Sequence, residues 1–189
     1  MKQDKSESID QLNQWLGEMG GTLPARWELL PDIGLYMDQV QTYIDRQVSL
    51  YRRDEGERLM TSSMINNYIK DGLLPRAKAK KYSPEHLAML IMIGTLKQVL
   101  SMQNLHRLLP CGRDATGIEE LYQHFIDIQG STLQSKAGQL LEDTRQLSGD
   151  VTPEQQHALR ELALQLSIES RINMLIAEKI LALLEDCDP

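Results

Sequence analysis

Apolar residues in this chain recur every three or four positions, stretch after stretch, and that rhythm restricts it to helices. They are mostly Leu, Ile, Met and Ala; aromatics are only 5% and runs of β-branched residues are absent, a composition that favours helices over a pleated sheet. The expected fold is therefore all-α, with at most a small β element. A hydrophobic fraction of 41% and a charged fraction of 25% over 189 residues are those of a globular protein able to bury a core, as one domain or two small ones.

Punctuation places the helices. Ile9, Leu12, Trp15, Leu16 and Met19 mark a short one that follows a polar, fraying start and stops at Gly20-Gly21. Residues 1–23 are thus an N-terminal helical piece that needs a partner surface. Residues 23–34, with Pro24 and Pro31, read as an extended connector pinned by Trp27, Leu29 and Leu30. Tyr36, Val40, Tyr43, Ile44, Val48 and Tyr51 keep a helical rhythm over 35–53. Ser83-Pro84-Glu85 opens a largely buried helix that runs to about Leu100. Ser101 caps a shorter one, with Leu105, Leu108 and Leu109 on its apolar face and Pro110 and Gly112 at its end. Three further helices are predicted at 117–128, 132–147 and 153–185, the last opened by the capping box Thr152-Pro153-Glu154-Gln155. That last helix is apolar on more than one side, so it is either sandwiched in the fold or paired with a second chain.

Charge is distributed unevenly along this frame. The chain carries a formal net charge of −7, yet between Arg58 and Lys81 six cations (Arg58, Lys70, Arg76, Lys78, Lys80, Lys81) face the single anion Asp71. Inside that stretch, Thr61 is a good N-cap for a helix that Gly72 ends. At roughly 100° per residue, Ser62, Ser63, Asn66, Asn67 and Lys70 fall within an arc of about 140°, and Met64, Ile65, Tyr68 and Ile69 lie opposite. One face can dock on a core; the other offers short hydrogen-bonding groups and a lysine, side chains able to read base edges and phosphates. Leu73-Leu74-Pro75 then leaves extended, with Arg76 to Ala79 as the expected tip and Lys80-Lys81-Tyr82 as the return, which predicts a two-stranded β wing bearing Arg76, Lys78, Lys80 and Lys81. Tyr68 and Tyr82 are expected to pack half-buried, with a hydroxyl available to a phosphate as a secondary use. A polyanion site belongs here, because phosphate contacts supply most non-specific DNA affinity. From Ser101 onward seven cations meet fourteen anions, so the acidic helical region 111–189 should keep off DNA and serve dimerisation or an effector.

The blocks MINNYIKDGLL, PRAKAKKYS and SMQNLHRLL resemble the DNA-binding domain of MerR-like winged-helix regulators. In that family the recognition helix ends in a tyrosine, Gly-Leu-Leu follows, and an Arg-bearing wing closes on Tyr-Ser; Tyr68, Gly72, Leu73, Leu74, Arg76, Tyr82 and Ser83 stand in those slots. The same blocks, with LYMDQV and KKYSPEHLAMLIMIGTLKQVL, look like a bacterial family known as domain of unknown function 1836. The resemblance covers about residues 24–110 and implies a winged helix-turn-helix domain followed by a helical C-terminal region. Asn66 and Asn67 replace the arginine and the first aromatic that many MerR-like regulators carry, which shifts phosphate clamping onto Lys70 and the wing. The implied activity is that of a cytoplasmic transcription regulator that binds duplex DNA as a homodimer, open to a small-molecule or protein effector. The alternative is a protein-interaction module on a scaffold that has lost DNA binding.

Other classes find no support in the residues. Cys111 and Cys187 lie far apart and outside any metal-ligand spacing, and His86, His106, His124 and His157 occupy separate helices as surface or helix-end residues, so no metal or other cofactor is expected. No nucleophile motif, phosphate-cradling glycine loop or catalytic constellation is present, so the chain is not read as an enzyme. Its most apolar stretch, residues 87–96, is too short to span a bilayer, and the first residues lack the apolar core of a signal peptide.

Overall fold

A computed structural model describes residues 8–52, 54, 56–109, 114–145, 147 and 151–184. Among the described residues seven α-helices follow one another: α1 Ile9–Glu18, α2 Met37–Gln47, α3 Ser62–Lys70, α4 Pro84–Leu96, α5 Met102–Leu108, α6 Ala115–Asp143 and α7 Pro153–Leu181. Short 3₁₀ turns stand at Met19–Thr22, Trp27–Leu29 and Ser49–Tyr51. The all-α expectation holds. Cys111, Cys187, Pro110, Gly112 and residues 1–7, on which some of the sequence reading fell, lie outside the described residues.

The core is built around α4. Every residue from His86 to Gly94 is buried, as a helix apolar on all sides requires. Ser83 caps it reciprocally with His86 and Pro84 occupies its first turn. Leu87, Leu90, Ile91, Met92 and Ile93 are fully buried, each contributing about 1.5–3 kcal/mol of transfer free energy. Against them pack Val40 and Ile44 of α2 and its C-cap residue Val48, Ile65 and Tyr68 of α3, and Leu105 of α5. The core does not stop at residue 110, because Ile118, Tyr122 and Ile126 of α6 belong to it. The Tyr122 hydroxyl donates to the Ala25 carbonyl at 2.6 Å, with the rings of Trp27 and Phe125 at 6.3 and 6.2 Å.

Three expectations are corrected. The two helices predicted at 117–128 and 132–147 are one, α6, running straight through Gly130-Ser131. The local helix-breaking signal is overridden by tertiary partners: Gln129 is buried and its amide donates to the Tyr51 hydroxyl at 2.6 Å, and farther on Thr144 is tied to Asn13 of α1 at 2.7 Å. The helix predicted at 35–53 ends at Gln47 and gives way to the 3₁₀ turn.

The two-stranded β wing is absent, since no strand is present among the described residues. Residues 76–82 form only two isolated antiparallel bridges, Lys78↔Lys81 and Leu35↔Tyr82. Pro75 has no N–H to offer a ladder, and Tyr82 spends its donor and acceptor on Leu35, both bonds at 2.9 Å. The tip also moves from 76–79 to Ala79-Lys80. Both residues take positive φ, 50° and 61°, as the tightest two-residue reversal demands.

Candidate nucleic-acid interface

Thr61 opens α3, its hydroxyl accepting from the Met64 N–H at 3.3 Å. The helix start is held from behind by two groups that the sequence reading did not single out. Asp45 of α2 accepts from the Met60 N–H at 3.0 Å, and the Lys97 ammonium donates to the Leu59 carbonyl and lies 3.9 Å from the Met64 sulfur. Burial lowers the pKa of Lys97, while Asp45 and Glu57 pull it back up. At the other end Gly72 takes φ 77°, a left-handed turn that a side chain would strain. The Leu74 N–H closes back on the Tyr68 carbonyl at 3.0 Å, and Leu73 and Leu74 are buried.

The two faces of α3 separate as the spacing predicts. Ile65 and Tyr68 are buried and Met64 and Ile69 partly so, while Ser63, Asn66, Asn67 and Lys70 are exposed and Ser62 is half-buried. Arg76, Lys78, Lys80 and Lys81 are all exposed on the adjoining turn. Tyr68 and Tyr82 are 6% and 5% exposed, more deeply set than expected, and burial raises both pKa values. Both rings hold the interface from beneath, and Tyr82 also lines the cavity where helix and turn meet.

Helix and turn meet at one place. A cavity of about 460 Å³ is walled by Asn66 and Ile69 of α3, Arg76 and Lys80 of the turn, and Asp38 of α2 with the N-cap residue Tyr36. The helical rhythm over 35–53 places Tyr36 with the core-facing residues; it is instead 52% exposed, and the Lys81 ammonium sits 5.7 Å from its ring centre, a cation–π distance. Asp38 places a carboxylate beside the cations, which a sign count over residues 58–81 could not reveal. Gly34 lets the connector lie against the turn: a Cβ there would stand 2.8 Å from the Lys81 Cβ.

Beneath the turn, His86 is buried at a helix end. Its Nδ1 accepts from the Ser83 N–H at 3.2 Å and lies 2.8 Å from the Ser83 Oγ, and the Tyr82 ring meets it edge-on at 5.4 Å. Its Nε2 has no partner of hydrogen-bonding geometry and faces the Pro75 and Arg76 carbonyls. Burial lowers the His86 pKa; Glu85 and those carbonyls oppose the shift. Among the described residues no group of three His, Cys, Asp or Glu side chains is arranged to hold a metal ion, and no helix is long and apolar enough to cross a membrane.

No curated protein and no solved structure matches the chain. A family model does, over residues 25–125, a span that runs from the connector to the first half of α6 and encloses α3 and its basic turn. The chain belongs to the family described as Domain of unknown function (DUF1836).

Proposed function

We propose that this protein binds duplex DNA as a transcription regulator, laying the polar face of α3 in a major groove and the basic turn 76–81 on the flanking backbone. The observation that carries the reading is the cavity where Asn66 of α3 meets Arg76 and Lys80 of the turn, which joins the helix that exposes Ser63, Asn67 and Lys70 to the turn that exposes Lys78 and Lys81. The positions that match MerR-like regulators support it indirectly. Tyr68, Leu73, Leu74 and Tyr82 are core residues and Gly72 is the turn, so what is shared is the scaffold that aims the polar face outward. One such surface reaches a single half-site, and useful specificity calls for two-fold pairing.

Counterion release sets the test. Five cations on the face, Lys70, Arg76, Lys78, Lys80 and Lys81, would give a slope of log affinity against log salt of about −4.5, and Lys78→Ala, Lys80→Ala and Lys81→Ala together would reduce it by about 2.7. The expected result is tight binding to mixed-sequence duplex at low salt that the triple variant loses. Absence of binding by the parent at low salt, or a slope unchanged in the triple variant, refutes the reading.

A further inference from the structure

The cavity between α3 and the basic turn holds more than a phosphate contact needs. Backbone phosphates call for cations alone, and a carboxylate among those cations repels them. Here Arg76 and Lys80 share about 460 Å³ with the Asp38 carboxylate, the Asn66 carboxamide and the Tyr36 ring. The floor is apolar, since Met37, Ile69 and Ala77 line it and are partly buried against the core. Tyr36 stays 52% exposed even with Lys81 over its ring. The side chains of Asp38, Asn66, Arg76 and Lys80 are exposed, and no hydrogen bond or ion pair among the described residues occupies them. An apolar floor with a few convergent polar groups, in a volume between about 300 and 1,000 Å³, is the form of a small-ligand pocket.

We propose that this cavity holds one unpaired adenine nucleotide, its base against the Tyr36 ring and its phosphate on Arg76 and Lys80. Ring and floor offer a flat purine the stacking surface that aromatic side chains give to unpaired bases, and Lys81 adds a cation to the same ring. A carboxamide such as that of Asn66 bonds N6 and N7 of adenine at once, which leaves the second N6 hydrogen for the Asp38 carboxylate. Hypoxanthine, equal in size, has a carbonyl oxygen in place of the amino group and sets it against Asp38. The carboxylate thus selects an amino group where the cations select a phosphate. A base inside a duplex must be flipped out before it can enter such a pocket, so the nucleotide is either free or extrahelical in a strand. The pocket shares Asn66, Arg76 and Lys80 with the proposed DNA face, but its filling does not require paired duplex to bind, and the two readings fail separately.

Titration calorimetry on the full chain tests it with adenosine monophosphate and, in a second arm, with a duplex carrying one extrahelical adenine beside the same duplex fully paired. Saturable binding is expected that weakens at least about fivefold when hypoxanthine replaces adenine. Tyr36→Ala should weaken it about 5- to 150-fold, and Tyr36→Phe, which keeps the ring, should not. Asp38→Asn should erase the preference for adenine over hypoxanthine and leave the helical circular dichroism unchanged. If Tyr36→Ala loses helicity, Asp38→Asn alone decides. Arg76→Ala with Lys80→Ala should bind adenosine monophosphate no better than adenosine. Tighter binding of the extrahelical adenine than of the paired duplex, lost in Tyr36→Ala, assigns the pocket to a nucleotide in a strand; binding of adenosine monophosphate without that difference assigns it to a free one. Absence of binding in both arms, equal affinity for adenine and hypoxanthine, or displacement of the nucleotide by an equal concentration of inorganic phosphate overturns the proposal.

Discussion

Gly34→Ala adds one methyl group where the connector touches the basic turn, and its effect can be worked from the contacts. The new Cβ would stand 2.8 Å from the Lys81 Cβ and 3.3 and 3.5 Å from its Cδ and Cγ. The first of these is fixed to the backbone, so a rotamer change at Lys81 cannot clear it. The chain must shift, and the neighbouring Leu35–Tyr82 pair, with both bonds at 2.9 Å, must shift with it. Overpacking of this kind costs about 1–3 kcal/mol, and the lost freedom of the unfolded chain returns about 0.4–1 kcal/mol. The midpoints of the two leave a net loss of about 1.3 kcal/mol, which lowers the melting temperature by roughly 3–5 °C in a chain of this size. Gly138→Ala is the internal control: it lies inside α6 with nothing within 4 Å of its Cβ, and should gain about 0.5–1 kcal/mol from helix propensity alone. Chemical denaturation of both variants beside the parent is the assay. If Gly34→Ala proves neutral, or as stabilising as Gly138→Ala, the close approach of connector and turn is not real and the turn has lost its anchor.

Two other substitutions reach the supports of the fold. Tyr122→Phe removes the 2.6 Å bond to the Ala25 carbonyl and should cost about 1–2 kcal/mol, seen as a lower denaturant midpoint at unchanged slope. For His86, burial holds the folded pKa below the ordinary 6.5, so the folded state binds fewer protons than the unfolded one between those two values. Its contribution is present in full above the unfolded pKa and is lost as pH falls through about 6.5 toward the folded value. His86→Gln keeps the reciprocal cap and should lose less stability than the parent between about pH 7.5 and pH 5.5; equal losses would exclude His86 as the source.

What the sequence disclosed and what it hid divide along a physical line. Thr61, Ser83, Ser101 and Thr152 were legible as caps because each acts on an N–H three residues away, and the polar face of α3 was legible because helical geometry fixes it. Where a residue's state is decided by a distant segment, the local pattern misled. Gly130-Ser131 looked like a break, but Gln129 answers to Tyr51; Tyr36 fitted the core rhythm of α2, but the basic turn beside it keeps its ring at the surface. The wing shows the same division most sharply. Four cations spaced through residues 76–81 are exposed whatever the backbone does, so the charge of the surface could be read directly. Its conformation could not, because a hairpin needs free pairing groups on both arms, and Tyr82 has already given its pair to Leu35. The left-handed Ala79-Lys80 reversal is what remains, and non-glycine residues held there cost about 1–2 kcal/mol each. That strain is borne where the backbone must turn within two residues to keep Lys78 and Lys81 side by side, so the geometry presenting the charge is maintained by Leu35, Gly34 and Tyr82, and the charge itself by exposed side chains, of which Lys81 lies over the Tyr36 ring.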